Sequence, residues 1–293
     1  LTHCFAQIGA DALSPGVRTF LSRHMLVDPL ALQAEVAALA ESGVSDAWER
    51  LLVDPRCVVV TPFHRLLNQL EERARGAGRH GSCGRGVGQA QLDSERAGLP
   101  VLRIGDLKDE PRLSAVLRLL WQLKVDQAEQ IVAAAGDQRP ELTALLADLR
   151  APHRPPALVK AYRDLLTSGR LRLAEAPAPS AVAVFEGAQG VLLNRDHGFF
   201  PHVTPSRTTF QQADALLDEW GVAARLRVGV LRAYSTRHGQ GPLPSEDDAL
   251  TQALPDRHNG TDPWQGAFRC GHFDAPLGRY ALAVCGGVDA LVL

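Results

Sequence analysis

The order in which short apolar runs and punctuated helical segments alternate along the 293 residues constrains the fold most. Asp28-Pro29 followed by LALQAEVAALAESG carries the punctuation of a helix. Asp28 offers an N-cap oxygen, Pro29 sits at the first helical position, where its missing N–H is harmless, and Gly43 closes the end. Leu32, Val36 and Leu39 keep helical spacing and predict one side facing a core. Leu51–Val53 and Cys57–Val60 are too short for helices and read as strands, and Thr61-Pro62 opens a second helix to about Arg75.

Residues 112–135 predict a long helix around Leu117, Leu120, Trp121 and Ile131, with a shorter helix at about 140–150. APHRPP breaks the chain before a helix at 157–168, and APAPS (176–180) reads as a linker. Beyond it we expect a strand AVAVF (181–185), a helix at 207–219 and a strand near 226–235. A polar irregular region at 238–266, a helix at 274–285 and a last strand at 288–293 complete the chain. Strands separated by helices predict an α/β fold with a mostly parallel central sheet flanked by helices. The expectation is a single domain over 1–293, with a helical insertion at 110–170.

A formal charge of −2 lacks the basic excess of a dedicated nucleic-acid binder. No apolar run approaches the roughly 20 residues that span a bilayer, and no secretory signal is visible. The five cysteines (4, 57, 83, 270 and 285) are scattered without a C-x-x-C pair, so disulfides and a structural zinc site are not expected and a reducing cytoplasm fits. The histidines show no paired ligand spacing, so no metal cage is expected.

Two segments could carry chemistry. Residues 76–90, GAGRHGSCGRGVGQA, are dense in glycine, which lets backbone N–H groups approach an anion, with Ser82 and Cys83 as side-chain donors and Arg79 and Arg85 as charge. The same density is found in flexible surface loops. No Gly-Lys-Ser/Thr closes the stretch as in a P-loop, and a strand-to-helix context for a dinucleotide fingerprint is not expected. In residues 184–209, a strand ending at Gly187-Ala188-Gln189-Gly190 would put the Gln189 amide at the carboxyl edge of a sheet, where α/β proteins bind ligands. Gln189 both donates and accepts, which suits a purine edge or a phosphate. Thr204, Ser206, Thr208 and Thr209 either cap the following helix or face a phosphate at its start. Asp196-His197 reads as an acid–base pair or as scaffold. Arg237 and His238 fall in a loop-like stretch, as does WQGAFRCGHFD (264–274).

Taken together, LVDPLAL (26–32), TPFHRLLNQLEERARG (61–76), HGSCGRGVGQA (80–90), RIGDL (103–107), FEGAQGVLLNRDHGFFPHVTPSRTT (185–209), VLRAYSTRHGQGPLPSE (230–246) and RCGHFDAPLGRYA (269–281) resemble, in order, the adenylosuccinate synthetase family. These purine-pathway ligases couple aspartate to IMP using GTP. The resemblance implies their P-loop-NTPase-like fold, a cytoplasmic homodimer, Mg²⁺ as cofactor, and GTP, aspartate and IMP or a related purine nucleotide as small-molecule partners. Ser82 and Cys83 stand where the family has two threonines that contact the nucleotide phosphate. Arg96 stands where an arginine reaches across the dimer interface to that nucleotide. Gln189 and Thr204 match further nucleotide contacts, and His238 lies on the loop that touches its ribose.

Thr261, Gln265 and Arg269 fall in the segment that, in the family, binds aspartate and the ribose through a threonine-rich loop ending in arginines. Here only Arg269 remains of that cluster, with Gly266 and Phe268 where two binding arginines are expected. The resemblance places the catalytic aspartate and histidine, the phosphate-cradling loop and the Mg²⁺ ligands ahead of Leu1, and the guanine-reading segment after Leu293. No catalytic residue is therefore expected within the chain. In the implied reaction the purine 6-oxygen attacks the γ-phosphate of GTP and the amine of aspartate then displaces phosphate. The departures leave open a paralogue acting on another purine (deoxy)nucleotide such as dGMP, or one serving a specialised nucleoside pathway. They also leave open ATP in place of GTP, and an inactive fragment that retains nucleotide binding or dimerisation.

Overall fold

A computed structural model describes residues 4–136, 139–177, 182–256 and 260–293. The chain divides into two compact units, Leu1–Ala74 with Arg85–Ala183, and Arg75–Gly84 with Val184–Leu293.

The first unit opens with β1 (Thr19–Leu21) and β2 (Leu26–Val27), followed by α1 (Pro29–Glu41), β3 (Leu51–Val53), β4 (Val58–Val59) and α2 (Pro62–Arg75). Then come α3 (Val87–Glu95), α4 (Glu110–Ala135), α5 (Pro140–Leu149) and α6 (Arg154–Thr167). β1 pairs in parallel with β3, and β2 with β4. Single bridges from Val53 to Leu173 and from Val58 to Arg103 widen these pairs. α1 begins as its sequence dictates: the Asp28 carboxylate accepts from Leu30 N (3.0 Å) and Ala31 N (3.1 Å), and Gly43 closes the end at φ 93°. Glu35 lies on the buried stripe of α1 and caps the N-terminal segment, accepting from the backbone N–H groups of Ala6, Gln7 and Ile8 at 2.8–3.2 Å. Leu32 and Leu39 of α1, Phe63 and Leu70 of α2, Leu113 and Leu117 of α4 and Tyr162 of α6 are fully buried in one core. Each such apolar side chain contributes about 1.5–3 kcal/mol. Trp121 and Ile131 pack partly buried against it.

The second unit holds α7 (Gln211–Glu219), β5 (Val228–Val230), β6 (Ser235–His238), α8 (Asp248–Ala253), β7 (Phe268–Gly271), α9 (Ala275–Val284) and β8 (Ala290–Val292). β5 pairs in parallel with β8, and β6 antiparallel with β7. Its buried apolar side chains are few, chiefly Leu216, Leu217 and Cys270, so glycine-tight turns and side-chain-to-backbone hydrogen bonds carry much of its order.

The α/β class with predominantly parallel pairing matches expectation, with the pairing spread over four two-stranded sheets among the described residues. Several local expectations change. The described part of the expected strand at 181–185 forms no strand, with Val182 and Val184 exposed at 78% and 68%; Ala181 and most of the APAPS linker lie outside the described residues. Apolar β-branched composition is not enough for a strand, whose backbone needs a partner ladder. The strand near 226–235 is two short strands, β5 and β6. The irregular stretch 238–266, of which 257–259 lie outside the described residues, contains α8, capped by Asp247. β7 was not expected because Phe-Arg-Cys-Gly is short and lies in a polar, glycine-containing stretch; its order comes from pairing with β6. The glycine-rich loop ends early, at Gly86, and leads into α3, so a helix does follow it, although α2 rather than a strand precedes it. α6 starts at Arg154, taking Pro155 and Pro156 into its first turn, where proline is tolerated. α7 starts at Gln211, four residues later than expected. Among the described residues no helix is long and apolar enough to cross a membrane.

Candidate functional site

The second unit concentrates the chemistry. β6 ends in Arg237 and His238, and Gly239 and Gly241 then turn the chain at φ 66° and 105°, angles that disfavour any residue with a Cβ. Gly239 lies directly on the Gln265 carbonyl, so a Cβ there would collide with backbone. His238 Nδ1 lies 3.1 Å from Gln265 Oε1, and the ring stands edge-on to Phe268 with centroids 5.2 Å apart. With Gln265 accepting, Nδ1 carries the proton, and Nε2 is left as a buried acceptor without a partner among the described residues.

Residues 261–266 form a turn closed by its own acid. Asp262 Oδ1 accepts from Trp264 N and Gln265 N, both at 2.8 Å, and the Asp262 and Gly266 backbones exchange hydrogen bonds of 2.8 and 2.9 Å. The glycine-rich loop packs on this turn. A Cβ on Gly84 would lie 2.7 Å from Cγ of Trp264, and one on Gly81 would lie 3.3 Å from Gln240 N. Arg79 donates to the Pro263 carbonyl, and the His80 carbonyl lies 3.1 Å from His202 Nδ1. The glycines therefore serve close packing as well as any ligand. Ser82 is half-buried in the loop, and Cys83 is an exposed thiol.

The cations of this unit differ in what they face. Arg269 is committed to Glu246 (2.5 Å) and to the Gly241 carbonyl (2.7 Å). Arg237 donates only to carbonyls, Gln240 O at 3.0 Å and His202 O at 2.9 Å, and meets no carboxylate among the described residues. Burial, then the Arg269 charge, lowers its pKa. A half-buried guanidinium without a counter-ion is a receptor for an anion. The Thr208 and Thr209 hydroxyls are also buried, without a partner among the described residues.

The residues named from sequence thus fall into groups. Thr204, His238, Gln265 and Arg269 sit on the ordered turns and strands of the second unit, whereas Gln189 and Thr261 are exposed. Gln189 is not at a sheet edge: residues 182–190 are exposed and form no strand, which corrects its expected placement. Thr204 Oγ1 bonds Ser206 Oγ at 2.8 Å, and neither residue caps α7, whose N-cap is Phe210 without a side-chain bond. Asp196 and His197 do not bond each other. Asp196 approaches Arg195, and the His197 carbonyl accepts from the Tyr280 hydroxyl at 2.9 Å, so the pair is scaffold. Arg96 belongs to the first unit, exposed at the C-cap of α3. Arg237 lacked an assignment from sequence, and the Thr208 and Thr209 hydroxyls, read as caps or phosphate contacts, do not cap α7. Their signal is the absence of a partner, which only three-dimensional placement reveals.

The family model of adenylosuccinate synthetase matches residues 2–293. The chain is 34% identical over 281 residues to the adenylosuccinate synthetase of Thermobifida fusca and 33% identical over 296 residues to that of Thermosynechococcus vestitus. It covers 94% and 98% of its own length in these matches, but spans only 62% and 61% of the two relatives. Among solved structures it resembles the fully ligated adenylosuccinate synthetase of Plasmodium falciparum, with a TM-score of 0.61 and 20% identity over 94% of this chain and 62% of that one. It also resembles the succinoaminodeoxyadenylate synthetase of cyanophage S-2L bound to dGMP and dATP, with a TM-score of 0.53 and 22% identity over 97% of this chain and 68% of that one. Both structural likenesses concern the fold. The chain belongs to the adenylosuccinate synthetase family.

Proposed function

We propose that the second unit binds the phosphate and ribose of a purine nucleoside monophosphate, the acceptor in a GTP-dependent ligation of aspartate to IMP. The observation that carries this reading is the end of β6. There Arg237 holds a half-buried positive charge against carbonyls alone, and the adjoining His238 presents a buried, unpartnered Nε2. A phosphate monoester supplies the missing anion, and a ribose hydroxyl supplies a donor for His238. Ser82, Cys83, Gln189 and Thr204 belong to the same acceptor reading, with Arg96 contributed across a homodimer. Mg²⁺ and a cytoplasmic setting complete the proposal. Among the described residues no group of three acids, histidines or cysteines converges as a cation cage, and no step is assigned to the metal.

A second reading, another purine deoxynucleotide as acceptor or another amine as donor, is favoured by the 261–269 segment. Its acid closes its own turn, and Arg269 is committed to Glu246. Calorimetric titration with IMP, GMP and dGMP separates the two. Tighter binding of IMP supports the first reading, and tighter binding of dGMP the second. Arg237→Met should weaken whichever nucleotide binds by roughly tenfold or more, the worth of a hydrogen bond to a charged group. If none of the three nucleotides binds, or the variant binds as tightly as the parent, the acceptor reading fails.

A further inference from the structure

The first unit buries a polar cluster that the acceptor reading does not use. His64 of α2, Asp93 of α3 and Lys124 of α4 are 2%, 4% and 0% exposed. The Thr61 backbone N–H donates to His64 Nδ1 at 3.0 Å, and the Thr61 hydroxyl lies 3.0 Å from the same atom. Because a backbone N–H can only donate, Nδ1 carries no proton, and His64 is a neutral ring protonated at Nε2. Nε2 points at Asp93 Oδ2, 3.2 Å away, and Lys124 Nζ approaches that oxygen at 2.6 Å while donating to Gln127 Oε1 at 3.0 Å. One aspartate and one lysine cancel, and the imidazole relays Asp93 to the N-terminal turn of α2.

Why α3 needs such an anchor follows from its sequence. Of its nine residues only Ala90 and Asp93 are buried, so apolar packing alone fixes it poorly. Its other end is also held by polar and steric contacts to α2. Gly86 N donates to Asn68 Oδ1 at 3.3 Å, Gln89 Nε2 donates to Glu71 Oε2 at 2.8 Å, and Gly86 lies so close to the His64 and Arg65 backbone that no Cβ fits. Arg96 leaves the helix directly after Glu95, its N–H donating to the Asp93 carbonyl at 3.2 Å. A buried ion pair is weak evidence of net stabilisation but can select one arrangement among several.

We propose that Thr61, His64, Asp93 and Lys124 form a positioning network that fixes α3 on α2 and thereby sets the direction in which Arg96 leaves the helix. The part concerning Arg96 rests on the nucleotide reading above; the part concerning α3 does not. His64→Asn keeps an acceptor for Thr61 but cannot reach Asp93, whereas His64→Gln keeps a donor near Asp93. Hydrogen exchange of amides 87–96 should speed up in H64N and return towards the parent in H64Q. IMP affinity should fall roughly threefold to tenfold in H64N, the scale of coupling through a packed network, and recover in H64Q. A merely structural histidine would move both variants alike in stability and leave α3 exchange and IMP affinity of the folded protein unchanged, which overturns the proposal. Should H64N fail to fold, Asp93→Asn keeps the shape of the network but removes the charge that His64 and Lys124 meet, and parent-like exchange at residues 87–96 in that variant overturns the proposal equally. Arg96→Ala is the separate control. Unchanged IMP affinity in that variant sinks the nucleotide role of Arg96, while the exchange readout still decides whether the network positions α3.

Discussion

Replacing Gly84 with alanine tests whether the glycine-rich loop is a packed element or a loose one. Gly84 is buried at φ 65°, and an added Cβ would lie 2.7–2.9 Å from three ring atoms of Trp264. Two costs follow. Holding an L-residue in the left-handed region costs about 1–2 kcal/mol, and forcing a methyl group against a ring that must shift costs about 1–3 kcal/mol. Gly84→Ala should therefore destabilise the second unit by about 2–5 kcal/mol. In a Trp264→Ala background only the backbone cost survives, so the double-mutant cycle should show a coupling of about 1–3 kcal/mol. Urea unfolding followed by far-UV circular dichroism gives the global values. Amide exchange at Gly239, whose N–H bonds the Ala267 carbonyl, and at Gly266, whose N–H bonds the Asp262 carbonyl, reports the turns themselves. Equal costs for Gly84→Ala in both backgrounds would refute the packing role of Trp264. A cost near zero in the parent would show that the loop does not hold this conformation at all.

Two further outcomes follow from the first unit. Asp28→Ala removes the oxygen that caps α1 and should cost about 1 kcal/mol; thermal unfolding indistinguishable from the parent would mean that water or Gln7 replaces the cap. Burial foremost, then the nearby Lys124 charge, holds the His64 pKa below its ordinary 6.5, against the opposing pull of Asp93. The unfolded chain therefore binds a proton on His64 in a range where the folded protein does not. The resulting stability is fully present above about pH 6.5 and is lost as pH falls through that value towards the folded pKa. Urea midpoints between pH 7.5 and 5 should fall more steeply for the parent than for H64Q, and parallel profiles would show that His64 is not buried as a neutral ring.

Local signals made the helices legible. α1, α4 and α9 begin at an aspartate N-cap with proline in the first two helical positions, and the apolar spacing of α1 and α4 continues for several turns. Strands were less legible because their order lies in the partner. AVAVF has the composition of a strand and forms none where described, whereas Phe268–Gly271 lacks that composition and pairs through its backbone. The buried polar groups were half legible. Leu113, Leu117, Leu120 and Lys124 continue one helical stripe, and Glu35 falls on the stripe of Leu32, Val36 and Leu39, so each charge could be located on a core face. What each would meet, Asp93 on another helix or the amides of residues 6–8, depends on contacts distant in sequence.

The two halves of the proposed chemistry do not stand equally in the second unit. A ligand carboxylate at the 261–269 segment would have to displace Glu246 from Arg269, and it would meet the Asp262 carboxylate, already satisfied by two backbone N–H groups. A phosphate at the end of β6 displaces no carboxylate, because Arg237 bonds only carbonyls. Like-charge approach and the breaking of an existing ion pair both oppose the acid, whereas the anion at Arg237 relieves an uncompensated charge. The nucleoside monophosphate should therefore bind without the amino acid, and aspartate should show no heat of binding until the nucleotide is in place. Aspartate binding first, and lost in Arg237→Met, would show that the open cation of this unit serves the acid and that the nucleotide is held elsewhere.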